Sequence, residues 1–97
     1  MNETETTTGR PVVVTTAHKG VFFGYLDGAV DGDTVRLTRA RNCVYWSADM
    51  RGFMGLAVTG PGDGCRIGPA ADIELRDITS IVEATPDAAE RWEAAPW

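Results

Sequence analysis

The chain has 97 residues, 43% hydrophobic and 24% charged, with a net charge of −5 at pH 7 and an isoelectric point near 4.6. That length fits one domain with a thin core, burying roughly 60–68% of the surface exposed by the unfolded chain. The acidic balance argues against coating duplex DNA, which needs a basic field, although a local basic patch stays open. No apolar stretch approaches the ~20 residues that span a bilayer, and residues 1–9 are polar without a signal-peptide core, so the expected location is the cytoplasm.

Residues 1–10, rich in Thr and without apolar period, read as a loose tail, with order expected from Pro11. Val12-Val13-Val14-Thr15-Thr16 and Val21-Phe22-Phe23-Gly24-Tyr25-Leu26 are β-branched and aromatic runs separated by Ala17-His18-Lys19-Gly20, a hairpin pattern. Asp27-Gly28 and Asp31-Gly32-Asp33 mark a turn. Thr34-Val35-Arg36-Leu37-Thr38 then alternates with period two, which predicts a third strand with one wet face. The run can continue through Arg41-Asn42-Cys43-Val44-Tyr45-Trp46 before a break at Ser47-Ala48-Asp49.

Gly52-Phe53-Met54-Gly55-Leu56-Ala57-Val58 is predicted as the next strand, with Gly55 marking a bulge or a close backbone approach. A Gly-rich loop follows over 59–64, then a short extended piece, Cys65-Arg66-Ile67, closed by Gly68-Pro69. Ile73-Glu74-Leu75-Arg76 alternates, Asp77 interrupts, and Ile78-Thr79-Ser80-Ile81-Val82 returns to strand. Thr85 is placed to cap a helix over 86–95 that opens with Pro86, carries Asp87 at its positive end, and has an apolar stripe of Ala88, Ala89 and Trp92.

These strands, about five to seven in number, predict a mainly β fold: a small antiparallel, strongly bent sheet or barrel with a short C-terminal helix, in one domain over 11–97. Closure would remove sheet edges that otherwise invite aggregation.

Two resemblances add to this reading. Through His18-Lys19-Gly20-Val21-Phe22-Phe23-Gly24-Tyr25-Leu26, Ala40-Arg41-Asn42-Cys43-Val44-Tyr45-Trp46-Ser47 and Gly55-Leu56-Ala57, the chain resembles a family of small uncharacterised phage and prophage proteins. That implies a mobile-element origin and no particular mechanism. Residues 21–26 with their central Gly24, and residues 73–82, are similar to the bent second strand and closing strand pair of Sm-like, SH3-like small barrels. That resemblance implies ring-like or dimeric assembly through edge strands. The N-terminal helix of those barrels has no counterpart in residues 1–10, and no RNA-binding motif carries over.

Cys43, Cys65 and the single His18 form no metal-binding spacing, and the cysteines read as two buried thiols rather than a disulfide or redox pair. His18 reads as a solvated turn residue, and Asp31 and Asp33 as turn residues rather than an acid–base pair. The 60–64 loop lacks the Lys and Ser or Thr of a phosphate-binding P-loop. No catalytic constellation, metal site or cofactor is expected, so the protein is not read as an enzyme.

The binding candidates are Arg39, Arg41, Asn42, Tyr45, Trp46 and Arg51, a segment dense in guanidinium and aromatic groups, joined by Arg66. Aromatic faces stack on planar ligands, and Arg forks clamp phosphate or carboxylate. The alternative is that Trp46 is core, the segment's arginines an exposed strand face, and Arg66 and Arg76 ordinary surface residues. On the binding reading Arg41→Ala leaves stability nearly unchanged. Trp92 and Trp97 read as packing anchors whose burial is expected at a subunit contact. The expected function is that of a non-enzymatic, homo-oligomeric phage-type binding protein holding a small anionic or nucleotide-like ligand, such as a host defence signal, at a subunit interface. The alternative is a phage assembly or adaptor protein acting through protein–protein contacts.

Overall fold

A computed structural model describes residues 9–18 and 20–97. Strands β1 (Pro11–Thr16) and β2 (Val21–Leu26) form the expected antiparallel hairpin, with Val13 opposite Phe23. Its turn is closed by Thr16, whose amide donates to the Gly20 carbonyl while its hydroxyl accepts from the Gly20 amide. His18 is exposed there, and Lys19 lies outside the described residues. The hairpin ladder begins before Pro11. Gly9 N donates to the Leu26 carbonyl, Leu26 N donates to the Arg10 carbonyl, and Arg10 pairs with Glu83. Gly9 and Arg10 therefore belong to the domain, and the rest of the expected tail, residues 1–8, lies outside the described residues.

The turn signalled by Asp31-Gly32-Asp33 is closed by reciprocal backbone bonds between Asp31 and Thr34. Beyond it, β3 (Val35–Tyr45) is one continuous strand. One edge of β3 pairs with β2 and the other with β4 (Arg66–Ile67) and β5 (Ala71–Leu75), while β6 (Ile78–Glu83) pairs with β1, all antiparallel. Strands β5 and β6 thus lie at opposite edges of the sheet although only Arg76 and Asp77 join them. A two-residue link cannot cross a flat sheet, so the sheet must curl. Asp77, at φ 57°, turns the corner, which is pinned by bonds from Ala17 N to the Asp77 carbonyl and from Ile78 N to the Asp33 carbonyl. Among the described residues no ladder joins β5 to β6, so the sheet is strongly bent rather than a closed barrel.

Curling gives the sheet two apolar faces. One packs on itself through Val12, Val14, Leu26, Val35, Leu37 and Leu75. The other, carrying Val13, Val21, Phe23 and Cys43, lies under the helices. Burial on both faces explains the unbroken valines of β1. The bend also needs Gly24, because a Cβ there would come within 2.8 Å of Leu37 Cβ.

Residues 52–58 are a correction to the strand predicted there: they form helix α1 (Gly52–Val58), entered from a 3₁₀ turn at Ala48–Met50 through left-handed Arg51 and Gly52. The apolar residues Phe53, Leu56 and Ala57 stand at i, i+3 and i+4, which presents one helical stripe, and Leu56 and Ala57 are fully buried. Gly55 does mark a close approach, since a Cβ there would sit 1.7 Å from the Met50 carbonyl oxygen.

Helix α2 (Pro86–Ala94) starts where its cap predicts. The Thr85 hydroxyl accepts from Ala88 N at 3.1 Å and donates to the Val58 carbonyl at 2.7 Å, so one side chain caps α2 and ties it to the end of α1. Trp92 is fully buried, stacked on Phe23 with centroids 5.3 Å apart, and its Nε1 donates to the Leu56 carbonyl at 3.0 Å. Its burial is therefore achieved within the chain, and the expected subunit contact is not needed for it. Among the described residues no helix is long and apolar enough to cross a membrane.

Candidate functional site

The site is set by a bulge in β3. Arg39 adopts φ 49°, its amide donates to Asp72 Oδ1 at 3.0 Å, and the ladders to β2 and β5 both slip register around it. The extra residue reverses the alternation of the strand. Val35, Leu37 and Ala40 face the self-packed core, whereas Cys43 joins the core beneath the helices. Without the slip, Arg41 would follow Leu37 inward. With it, Arg41 reaches under the end of α2.

There Arg41 is only 5% exposed. Its Nε donates to the Gly68 carbonyl at 2.8 Å, and its Nη1 donates to the carbonyls of Trp92 at 2.7 Å and Glu93 at 3.3 Å. Carbonyls in the last turn of a helix lack intrahelical partners and carry the negative end of its dipole, so a cation is well placed. Burial pulls the Arg41 guanidinium below its ordinary pKa. Its Nη2 is buried with no hydrogen-bond partner. The exposed strand face that the alternative reading expects of this arginine is overturned, because the bulge places its side chain beneath α2.

Arg39 remains on the surface. Its Cζ stands 4.1 Å from the centre of the Tyr25 ring and its Nη1 lies 3.6 Å from Glu93 Oε1, while the Tyr25 hydroxyl donates to Glu93 Oε2. Burial, with the hydrogen bond to Glu93 and the charge of Glu93, pushes Tyr25 up to about 12, against the opposing effect of Arg39.

Arg39, Arg41, Glu93, Ala95, Pro96 and Trp97 line an open cavity of about 430 Å³. Trp97 is 83% exposed, so it is no packing anchor within the chain. It also walls a hollow of about 300 Å³ with Val44, Cys65 and Arg66. Three of the predicted arginines, Arg39, Arg41 and Arg66, are thus gathered around Trp97.

The other candidates go elsewhere. Asn42 is exposed and lines a separate hollow of about 140 Å³ with Phe22 and Ile73. Tyr45 is exposed at the end of β3, opposite Arg66. Trp46 packs half-buried against the helix-side core, as the core alternative had it. Arg51 borders a hollow of about 370 Å³ with Met54 and Val58. Sequence reasoning missed Glu93, which lines the cavity, and Tyr25, which is hydrogen-bonded to it. Nothing local signals a pair 68 positions apart. Among the described residues no three His, Cys, Asp or Glu side chains are grouped to hold a metal.

A family profile described as a domain of unknown function (DUF6948) matches residues 9–92, and the chain belongs to that family. No curated protein and no solved structure matches the chain.

Proposed function

We propose that this member of the DUF6948 family acts by binding rather than catalysis, holding a small, planar, anionic ligand of nucleotide-like character between Arg39, Arg41 and Trp97. The observation that carries this reading is Arg41, a buried guanidinium in the cavity wall whose Nη2 lacks an acceptor. A buried donor left unsatisfied costs about 1–3 kcal/mol, which an incoming phosphate or carboxylate oxygen would relieve. The exposed Trp97 ring offers a stacking face, typically contributing about 1–3 kcal/mol for a base. Glu93 pairs with Arg39 at the cavity, so an anion entering there competes with that pair.

A homo-oligomer belongs to the same proposal. Val44 and Trp97 are large apolar side chains exposed together beside the cavity, a surface that a second copy would cover while enclosing the ligand. Sequestration of a nucleotide-like host signal is the use that fits the resemblance to phage proteins.

Native mass spectrometry of protein purified from cells, followed by calorimetry with a purine nucleoside monophosphate, tests the reading. Separate Arg39→Ala and Trp97→Ala variants should each weaken binding about 10-fold or more, while Arg51→Ala leaves it unchanged. Equal affinity in all three variants would exclude this cavity.

A second reading, that of an adaptor, has its own observation. Met54 and Val58 on α1 are 57% and 58% exposed beside Arg51, a combination found at protein-docking surfaces. Loss of a co-purifying partner chain in Met54→Lys, with nucleotide binding absent from the parent protein, would favour it.

A further inference from the structure

Cys43 and Cys65 are both free thiols, Cys43 buried on the helix-facing side of β3 and Cys65 half-buried just before β4. The β3–β4 ladder places Cys43 opposite Ile67 and Tyr45 opposite Arg66, with a register slip between. Cys65 immediately precedes β4, two positions before Ile67, the ladder partner of Cys43. Cys43 belongs to the apolar cluster beneath the helices, and Cys65 packs against that same cluster. Access exists on one side only: Cys65 lines the hollow beside Trp97 and another beside Arg91, whereas Cys43 lines neither.

We propose that Cys43 and Cys65 form a modification site, a thiol pair that a low-molecular-weight disulfide converts into an intrachain disulfide stapling β4 and the 59–64 loop to β3. The accessible Cys65 gives up its proton to solvent and attacks one sulfur of the small disulfide. That S–S bond breaks, and one small thiolate leaves and is protonated. Cys43 then loses its proton and attacks the Cys65 sulfur, expelling the second small thiolate. Two protein thiols are oxidised by two electrons in total, and one small disulfide is reduced to two thiols. Burial and the neighbouring Cys65 push the Cys43 thiol up to about 12, which makes the second step the slow one.

The test uses the full reduced chain and oxidised glutathione, quenched by alkylation and followed by intact mass and non-reducing peptide mapping. A glutathione adduct on Cys65 should appear first and then give way, faster at higher pH, to a monomer two hydrogens lighter than the reduced chain, with the Cys43 and Cys65 peptides joined. Because the bond closes a loop of about twenty residues, the oxidised protein should melt roughly 10 °C higher. Cys43→Ser should stop at the adduct. A wild-type adduct that never resolves, disulfide-linked dimers, or an oxidised monomer melting no higher than the reduced one would each overturn the proposal.

Discussion

Arg41 Nη1 donates to the carbonyl of Trp92 at 2.7 Å, so a buried cation bonds strand β3 to the last turn of helix α2. The same guanidinium holds Gly68, which fastens the segment between β4 and β5 to that junction. Arg41→Ala would leave these carbonyls facing a cavity. The expected loss is about 3 kcal/mol or more in urea unfolding, with Arg41→Lys recovering only part because an ammonium lacks the planar fork. A loss below about 1 kcal/mol would contradict this account.

Alanine normally outperforms glycine inside a helix by about 0.5–1 kcal/mol. At Gly55, in the middle of α1, the sign should reverse, because a Cβ would meet the Met50 carbonyl oxygen at 1.7 Å. Gly55→Ala is expected to destabilise by about 2 kcal/mol or more, or to displace the 3₁₀ turn before α1. Thermal melting checks the sign. A stabilised variant would mean that residues 48–50 do not pack against α1 as described.

The two C-terminal tryptophans should behave oppositely. Trp92 is stacked on Phe23 and hydrogen-bonded to Leu56, so Trp92→Ala should cost about 3–5 kcal/mol. Trp97→Ala should stay within about 0.5 kcal/mol in the unassembled chain. Acrylamide quenching of single-Trp variants provides an independent check, with Trp97 readily quenched and Trp92 protected.

Two groups make stability depend on alkaline pH. Folding raises Tyr25 from 10.0 to about 12 and Cys43 from 9.0 to about 12, in both cases chiefly by burial, so the folded state favours their neutral forms. Their contributions are complete below the ordinary values and are lost as pH rises toward 12. Urea unfolding under reducing conditions should show stability declining between pH 9 and 12. Cys43→Ala should flatten the onset near pH 9, and Tyr25→Phe the portion above pH 10. A stability that is flat or rising across this window in the parent protein would refute the assignment.

The hairpin, the break at Asp77 and the start of α2 were legible in the amino-acid sequence because their causes are local. Alternation, turn residues and the Thr85-Pro86 cap each act over a few neighbouring positions. The seven residues of α1 were not legible as a helix. Such a short apolar run carries little periodic information, and its true period shows only when Leu56 and Ala57 meet the sheet. The arginines around Trp97 were identified as residue types, but their roles were settled by the fold. One extra residue at Arg39 reverses the pleat and sends Arg41 beneath α2, a change of face that composition cannot encode. Tyr25 and Glu93 come together only because the curled sheet carries α2 back over β2, and contacts across such sequence distances are created by packing rather than by local pattern.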